Sequence, residues 1–162
     1  TPNPEIVVAA QKDEEFKNIR HMLPELVNEK VKKYGFPKLG TDIAVCDKHF
    51  EEMFKIYEDS LSKLDIDHLI FGHIGDNHLH VNMLPRTDVE AAKVKEIYLS
   101  FARKAISFGG TVSAEHGIGK LKHLFLKEMY GDCGIQEMIR IKKFLDPNCI
   151  LGLDNIFPKE KL

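Results

Sequence analysis

The stretch of sequence that decides the fold lies at residues 71–82 and reads Phe71-Gly72-His73-Ile74-Gly75-Asp76-Asn77-His78-Leu79-His80-Val81-Asn82. Turn-forming Gly, Asp and Asn separate two runs rich in apolar residues, which predicts a β-hairpin. Because side chains alternate along a strand, the second strand presents a polar face made of His78, His80 and Asn82. The alternate residues (Leu79, Val81 and Met83) point to the core. If residues 75–78 form the loop, His73 lies opposite His80 on the polar face.

This polar face is a candidate site for chemistry. Solvated surface histidines are the alternative interpretation, and it would suit a single imidazole. Several imidazoles and a carboxamide on one face beside a tight turn instead favour a metal or catalytic site. Neutral imidazole binds Zn, Fe, Ni and Cu, and a site built from protein ligands normally adds a carboxylate.

The composition excludes several classes of protein. The 162 residues suffice for one domain with a substantial core. Lys and Arg number 23 against 25 Asp and Glu, a net charge of -2, which argues against a general nucleic-acid or membrane-surface binder. No apolar run approaches the roughly 20 residues of a transmembrane helix, and no signal peptide is recognisable. The 3 cysteines lack metal-motif spacing and favour a reducing cytoplasm, with peripheral membrane association left open.

Strand and helix patterns alternate around the hairpin. Residues 41–46 are predicted to form a strand, residues 48–63 a helix capped by Asp47, residues 88–108 a second helix, and residues 111–113 a short strand. The order βαββαβ over 41–113 is that of a ferredoxin-like fold, with both helices on one sheet face. We therefore predict an α+β chain with an N-terminal helical segment (1–40), a ferredoxin-like core (41–113), and C-terminal helices and tail (114–162).

The flanking segments are predicted from the same patterns. Residues 1–10 read as a loop and a short apolar segment, followed by a helix over about 12–33 that Pro24 should bend or split. Helices are also expected at about 119–130 and 134–145.

The bend at residues 113–120 carries a further set of polar residues. Glu115 follows the last predicted strand and can complete a two-histidine, one-carboxylate metal set with His73 and His80. The alternative is that Glu115 is an acidic first-turn residue of the next helix. His116 is a candidate general base. Arg20 and Lys38 are candidates for binding a substrate carboxylate.

Three segments occur together in an order that resembles a known family. They are residues 73–82, Ser113-Ala114-Glu115-His116-Gly117-Ile118-Gly119, and Leu145-Asp146-Pro147-Asn148-Cys149-Ile150-Leu151. With residues 40–45 and the Arg20 to Pro24 segment, they resemble the C-terminal domain of the FAD-linked oxidases. This family includes D-lactate dehydrogenase, the D subunit of glycolate oxidase and D-2-hydroxyglutarate dehydrogenase.

The resemblance implies a flavoenzyme that oxidises small 2-hydroxy acids. It implies that His73, His80 and Glu115 bind a divalent metal, usually zinc, which holds the substrate's hydroxyl and carboxylate. Asn82 would lie beside the metal or substrate, and His116 would take the hydroxyl proton while C2 passes hydride to FAD. Arg20 and Lys38 would bind the substrate carboxylate.

The resemblance also implies partners and leaves questions open. FAD would be bound mainly by an N-terminal domain outside this chain, and electrons would pass to a quinone or an electron-transfer protein, since the chain has no nicotinamide fingerprint. A homo-oligomer is also open. The family usually has Gly-Asn where this chain has Asn77-His78, so His78 has no assigned role. A self-contained metal hydrolase and a non-catalytic ferredoxin-like binding module are the rival functions.

Overall fold

A computed structural model describes residues 14–162, with side chains described from residue 17. Within this range the helices are α1 (Glu14–Tyr34), α2 (Phe50–Leu61), α3 (Asp88–Ser107) and α4 (His123–Leu145). The strands are β1 (Leu39–Gly40), β2 (Ile43–Ala44), β3 (Asp67–His73) and β4 (His78–Leu84). The loop and apolar segment predicted for residues 1–10 lie outside the described residues.

Strand β4 is the centre of an antiparallel sheet. Strand β3 pairs along one of its edges, while β1 and β2 pair in succession along the other. Thr111 extends the sheet by a single antiparallel bridge to Ala44. The α+β class is therefore confirmed, whereas the ferredoxin-like assignment stays a prediction. The continuous strand predicted for residues 41–46 is wrong, because the strand is interrupted at Thr41 and Asp42, although Thr41 N still donates to Val81 O at 3.0 Å.

One face of the sheet carries the main hydrophobic core. The predicted inward residues of β4, Leu79, Val81 and Met83, are buried. Helices α2 and α3 cover them, as predicted, with a set of buried residues that comprises Met53, Tyr57, Leu61, Val94, Tyr98, Phe101, Ala102 and Ala105. The aromatic rings of Tyr57 and Phe101 meet edge to face at 4.8 Å between centroids, a favourable arrangement for aromatic pairs. This packing fixes which residues of the hairpin face the other way.

Helix α1 lies at one end of the opposite face. A cleft there is lined by residues of α1 and of the two hairpin strands, namely Leu23, Leu26, Val27, Lys30, Asp67, His68, Leu69 and Leu84. Asp67 accepts hydrogen bonds from Lys30 and from the Tyr34 hydroxyl, the latter at 2.6 Å. Pro24 lies inside α1 without splitting it. At the other end of this face, near the hairpin turn, the segment that follows Thr111 lies against the sheet.

One further detail differs from the prediction. Asp47 does not cap α2, since it begins a 3-10 turn and His49 precedes the helix without a capping hydrogen bond from its side chain. The two predicted C-terminal helices are present as the two halves of α4, which the non-helical Gly131, with φ of 66°, separates. In the described part of the chain, no helix combines the length and apolarity needed to cross a membrane.

The hairpin requires glycine at position 72, which gives a testable prediction. A Cβ on Gly72, whose φ is +157°, would lie 2.4 Å from the backbone oxygen of His78. We expect Gly72→Ala to lower the free energy of unfolding in urea by about 1–3 kcal/mol, because the clash involves backbone that cannot move independently. The control is Gly75→Ala, where the added Cβ meets nothing within 4 Å. Equal stability of the two variants would contradict the close approach.

Candidate functional site

The register of the hairpin brings the predicted histidines together by a different pairing. His73 lies opposite His78, and Phe71 lies opposite His80. The predicted pairing of His73 with His80 is therefore wrong by two residues. Because side chains alternate with a period of two, a shift of two residues leaves every side chain on its predicted face. His73 thus shares a face with the polar residues of β4, as the sequence predicted.

The turn forms one residue earlier than the sequence suggested. Residues Ile74–Asp76 form a 3-10 turn, and Asn77 follows in the left-handed conformation with φ of 51°. Asparagine adopts this conformation more readily than most residues. The Asn77 side chain donates to Asp47, and its backbone oxygen accepts from Val45 N at 3.4 Å. These contacts hold the turn against the start of the α2 segment.

Glu115 lies among the imidazoles of the hairpin. Its Oε1 is 3.0 Å from His73 Nε2, and its Oε2 is 3.7 Å from His80 Nε2. His78 Nδ1 is 3.7 Å from Oε1. His73 and Glu115 are partly exposed, whereas His78 and His80 are buried. The arrangement is a carboxylate beside imidazole nitrogens, open to solvent on one side.

The donor set fits a divalent metal ion. One ligand atom from each of His73, His78, His80 and Glu115 lies within 4.8 Å of all the others. Ligands held at about 2.0–2.1 Å by a tetrahedral ion are roughly 3.3 Å apart, and the separations of Glu115 from the imidazoles bracket that value. Neutral imidazole with one carboxylate is the ligand chemistry of Zn and of its first-row neighbours.

The orientation of His80 supports the same interpretation. Its Nδ1 lies 3.0 Å from the backbone oxygen of Thr41. A proton on Nδ1 satisfies that carbonyl and leaves Nε2 as an acceptor facing Glu115. Metal-binding histidines usually have their second nitrogen bonded in this way. The interruption between β1 and β2, which places the Thr41 carbonyl here, therefore contributes to the site.

The interruption also buries Asp42, which connects the sheet to the segment carrying Glu115. Asp42 is 0% exposed. Its carboxylate accepts four hydrogen bonds, from Ser113 Oγ at 2.9 Å, Glu115 N at 3.0 Å, His116 N at 3.0 Å and Lys122 Nζ at 2.7 Å. Burial alone would raise the pKa of Asp42, but these donors outweigh it and hold the pKa well below its ordinary range. The ionised carboxylate fixes the backbone of residues 113–116 on the polar face of the sheet.

His116 lies at the edge of the cluster. Its ring stacks on that of His80 with 5.1 Å between centroids, and its Nε2 is 3.9 Å from Glu115 Oε2. The side chain is 59% exposed, so it is accessible to a small molecule in solvent. Donor atoms of Asp42, His80 and His116 form a second group close enough to hold a metal, although Asp42 is already occupied by its donors.

The other predicted residues divide into near and distant ones. Asn82 is buried on the polar face of β4, and its amide nitrogen has no hydrogen-bond partner in the described part of the chain. Arg20 lies on an exposed part of α1, and Lys38 is exposed just before β1. Within residues 17–162, no hydrogen bond or ion pair connects either of them to the cluster. The alternative that Glu115 opens the next helix is wrong, since α4 begins at His123 with Lys122 preceding it.

Sequence reasoning missed three members of the network, namely Asp42, Ser113 and Lys122. A signal for Asp42 was present: a carboxylate stands inside the otherwise uncharged run Thr41-Asp42-Ile43-Ala44-Val45. A charged residue flanked by core residues needs partners, because an unpaired buried charge is very costly. The identity of those partners could not be read from the sequence, since they lie 71 to 80 positions away.

Comparisons with known proteins identify the family of this chain. Residues 4–153 match the family model described as FAD linked oxidases, C-terminal domain. The chain is 33% identical over 121 residues to the glycolate oxidase subunit GlcD of Bacillus subtilis, covering 74% of this chain and 26% of that protein. It is 29% identical over 117 residues to the mitochondrial D-lactate dehydrogenase [cytochrome] 1 of Saccharomyces cerevisiae, covering 72% and 20%. It is 32% identical over 116 residues to a probable mitochondrial D-2-hydroxyglutarate dehydrogenase of Oryza sativa subsp. japonica, covering 69% and 20%. The matched region is thus about a quarter or less of each relative.

The role of Asp42 can be tested by stability measurements. We expect Asp42→Asn to lower the free energy of unfolding at pH 7 by roughly 3 kcal/mol, because it leaves the partly buried Lys122 ammonium without its counter-charge. The control is Asp59→Asn, the same chemical change at an exposed position, which should change stability by less than about 0.5 kcal/mol. Urea denaturation of both variants gives the comparison, and a loss at Asp42 no larger than that at Asp59 would contradict the anchoring role.

Proposed function

This chain belongs to the family of FAD-linked oxidase C-terminal domains, and we propose that it is the substrate- and metal-binding part of a longer FAD-dependent 2-hydroxy acid dehydrogenase or oxidase. The substrate class is that of glycolate, D-lactate or D-2-hydroxyglutarate, after the names of its relatives. The observation that carries the proposal is the convergence of His73, His80 and Glu115, which come from separate segments of the chain. The family match supports the flavin part of the proposal, because the family is that of FAD-linked oxidases.

The proposed metal ligands are His73 Nε2, His80 Nε2 and Glu115, with zinc as the expected ion. A divalent ion bound there would polarise substrate oxygens as a Lewis acid. The protein's own contribution is to hold the donors in place before the ion binds. The Thr41 carbonyl orients His80, and Asp42 fixes the backbone at Glu115. The positive charge of Lys122 does not compete with a cation, because its ammonium group is committed to Asp42 and Ser113.

The substrate is proposed to lie beside this cluster, between Asn82 and His116. The unpartnered amide nitrogen of Asn82 is a donor available to a substrate oxygen. His116 is proposed to take the proton of the 2-hydroxyl, since imidazole is the side chain most often used as a general base. Arg20 and Lys38 are proposed to bind the substrate carboxylate. Because neither side chain contacts the cluster, this role requires that binding of the substrate or of a neighbouring domain brings both side chains closer to it.

The partner proposed for this chain is an N-terminal FAD-binding domain. Flavin supplies the two-electron acceptor for oxidation at C2 when bound. The described part of the chain exposes large apolar side chains near its C-terminal end, including Ile141, Phe144, Leu145, Ile150 and Leu151. Apolar side chains grouped in this way suit contact with another domain. We further propose a quinone or electron-transfer protein as acceptor, a cytoplasmic location, and a homo-oligomeric state of the whole protein.

The proposal predicts about one divalent metal and one FAD per full-length protein. Elemental analysis should find no bound metal in His73→Ala or in Glu115→Ala, because each variant lacks one ligand. The rate of D-2-hydroxy acid oxidation should fall more than about 100-fold in both. The control is His68→Ala, which removes an imidazole from β3 on the opposite sheet face, at the position paired with Met83. Metal without flavin, or hydrolytic activity without flavin, would instead support the metal hydrolase.

The role of His116 is tested separately from metal binding. In His116→Gln we expect kcat to fall about 100- to 10,000-fold, the usual effect of losing a general base. Metal content and the flavin spectrum should be unchanged, since His116 is outside the proposed ligand set. A variant with normal kcat would remove His116 from the reaction, and one that loses its metal would make His116 a ligand instead.

A further inference from the structure

His78 has no role in the function proposed above, yet it is buried at the centre of the site. Only 2% of the surface of His78 is exposed to solvent. Its ring centroid lies 4.3 Å from that of His80 and 5.7 Å from that of His73. Its two nitrogens face different groups: Nδ1 lies 3.7 Å from Glu115 Oε1, and Nε2 lies 3.2 Å from Asp42 Oδ1.

We propose that His78 is a fourth protein ligand of the metal, bound through Nδ1, and that Asp42 positions it through Nε2. The inference rests on the proposed metal site of His73, His80 and Glu115. The donor atom of His78 belongs to the same group of mutually close ligand atoms as those of His73, His80 and Glu115. The resulting set would be three imidazoles and one carboxylate.

The surroundings of His78 match the usual environment of a metal-binding histidine. Such histidines typically present one nitrogen to the ion and direct the N–H of the other at a carboxylate or a carbonyl. His80 already shows this arrangement with the Thr41 carbonyl. For His78 the nearest acceptor is the Asp42 carboxylate, 3.2 Å from Nε2, and its negative charge favours a proton on Nε2. That tautomer leaves the lone pair of Nδ1 on the side of Glu115.

A purely structural role explains the environment of His78 less well. Although Nε2 is within hydrogen-bond distance of Asp42, it makes no hydrogen bond of good geometry within the described part of the chain. Asp42 already accepts hydrogen bonds from Ser113, Glu115, His116 and Lys122 without it. A buried imidazole with an unpartnered nitrogen is costly, so the site is incomplete as a hydrogen-bond network. A metal ion on Nδ1 would hold the ring in place, with Nε2 kept beside the Asp42 carboxylate.

A fourth protein ligand would restrict which ions support catalysis. A tetrahedral ion with four protein ligands has no position left for substrate. A five- or six-coordinate ion would keep one or two positions for the oxygens of a 2-hydroxy acid. His78 would therefore favour ions that readily take five or six ligands over a strictly tetrahedral one.

The experiment counts imidazoles on the metal and measures its affinity in the full-length protein. X-ray absorption of the zinc-loaded protein should fit three imidazole ligands, and two would overturn the inference without needing any variant. His78→Gln keeps a polar group within reach of Asp42 but removes Nδ1. It should weaken Zn²⁺ binding at least tenfold in competition with a chelator and lower the imidazole count by one.

The control His68→Gln should change neither quantity. Unchanged affinity and an unchanged imidazole count in His78→Gln would also overturn the inference while leaving the proposed function intact. Failure of the proposed function looks different, because the unsubstituted protein would then bind no stoichiometric metal and His73→Ala would have no effect on binding.

Discussion

The buried carboxylate of Asp42 is the interaction on which the site depends. It lies in the gap between two short strand segments and binds the backbone of Glu115 and His116 through their N–H groups, with the Lys122 ammonium as counter-charge. Removing a carboxylate from water is costly unless donors surround it, so the native arrangement is favourable only when the segment after Thr111 is folded against the sheet. The same contact therefore closes the fold and positions the side chains of Glu115 and His116.

The two faces of the sheet have different roles: one packs the hydrophobic core and the other carries the candidate site. Helices α2 and α3 bury the apolar face of β4, and this packing holds the hairpin in a single register. The polar face then carries imidazoles at fixed spacing, with α1 at one end and the Glu115 segment at the other. Because the histidines stand on strands and not on loops, their positions vary little. Only Glu115, His116 and their neighbours depend on an irregular segment, and Asp42 compensates for that irregularity.

His78 lies between the sheet and the segment that carries Glu115. Its ring lies between the anchoring carboxylate of Asp42 and the proposed metal ligand Glu115. A metal bound to the imidazoles would thus be coupled to the interaction that holds the Glu115 segment in place. Binding of the ion and ordering of that segment would then support each other, because both draw on the same short-range electrostatic contacts. Burial lowers the pKa of His78, which is consistent with the neutral form that a ligand requires.

The sequence by itself determined the hairpin, the face on which its histidines stand, the α+β class, and the convergence of His73, His80, Glu115 and His116. It could do so because strand alternation and turn chemistry are local properties, and because Glu115 follows the last sheet bridge closely. The register, however, was wrong by two residues, since the turn residues Gly75-Asp76-Asn77 suit a four-residue loop that begins at either position 74 or position 75, and only an even shift kept the faces correct. Tertiary structure alone decided the interruption at Thr41 and Asp42, the partners of Asp42 and the orientation of His78. These depend on contacts between segments about 40 to 80 positions apart, and such contacts form only when core packing has fixed the sheet.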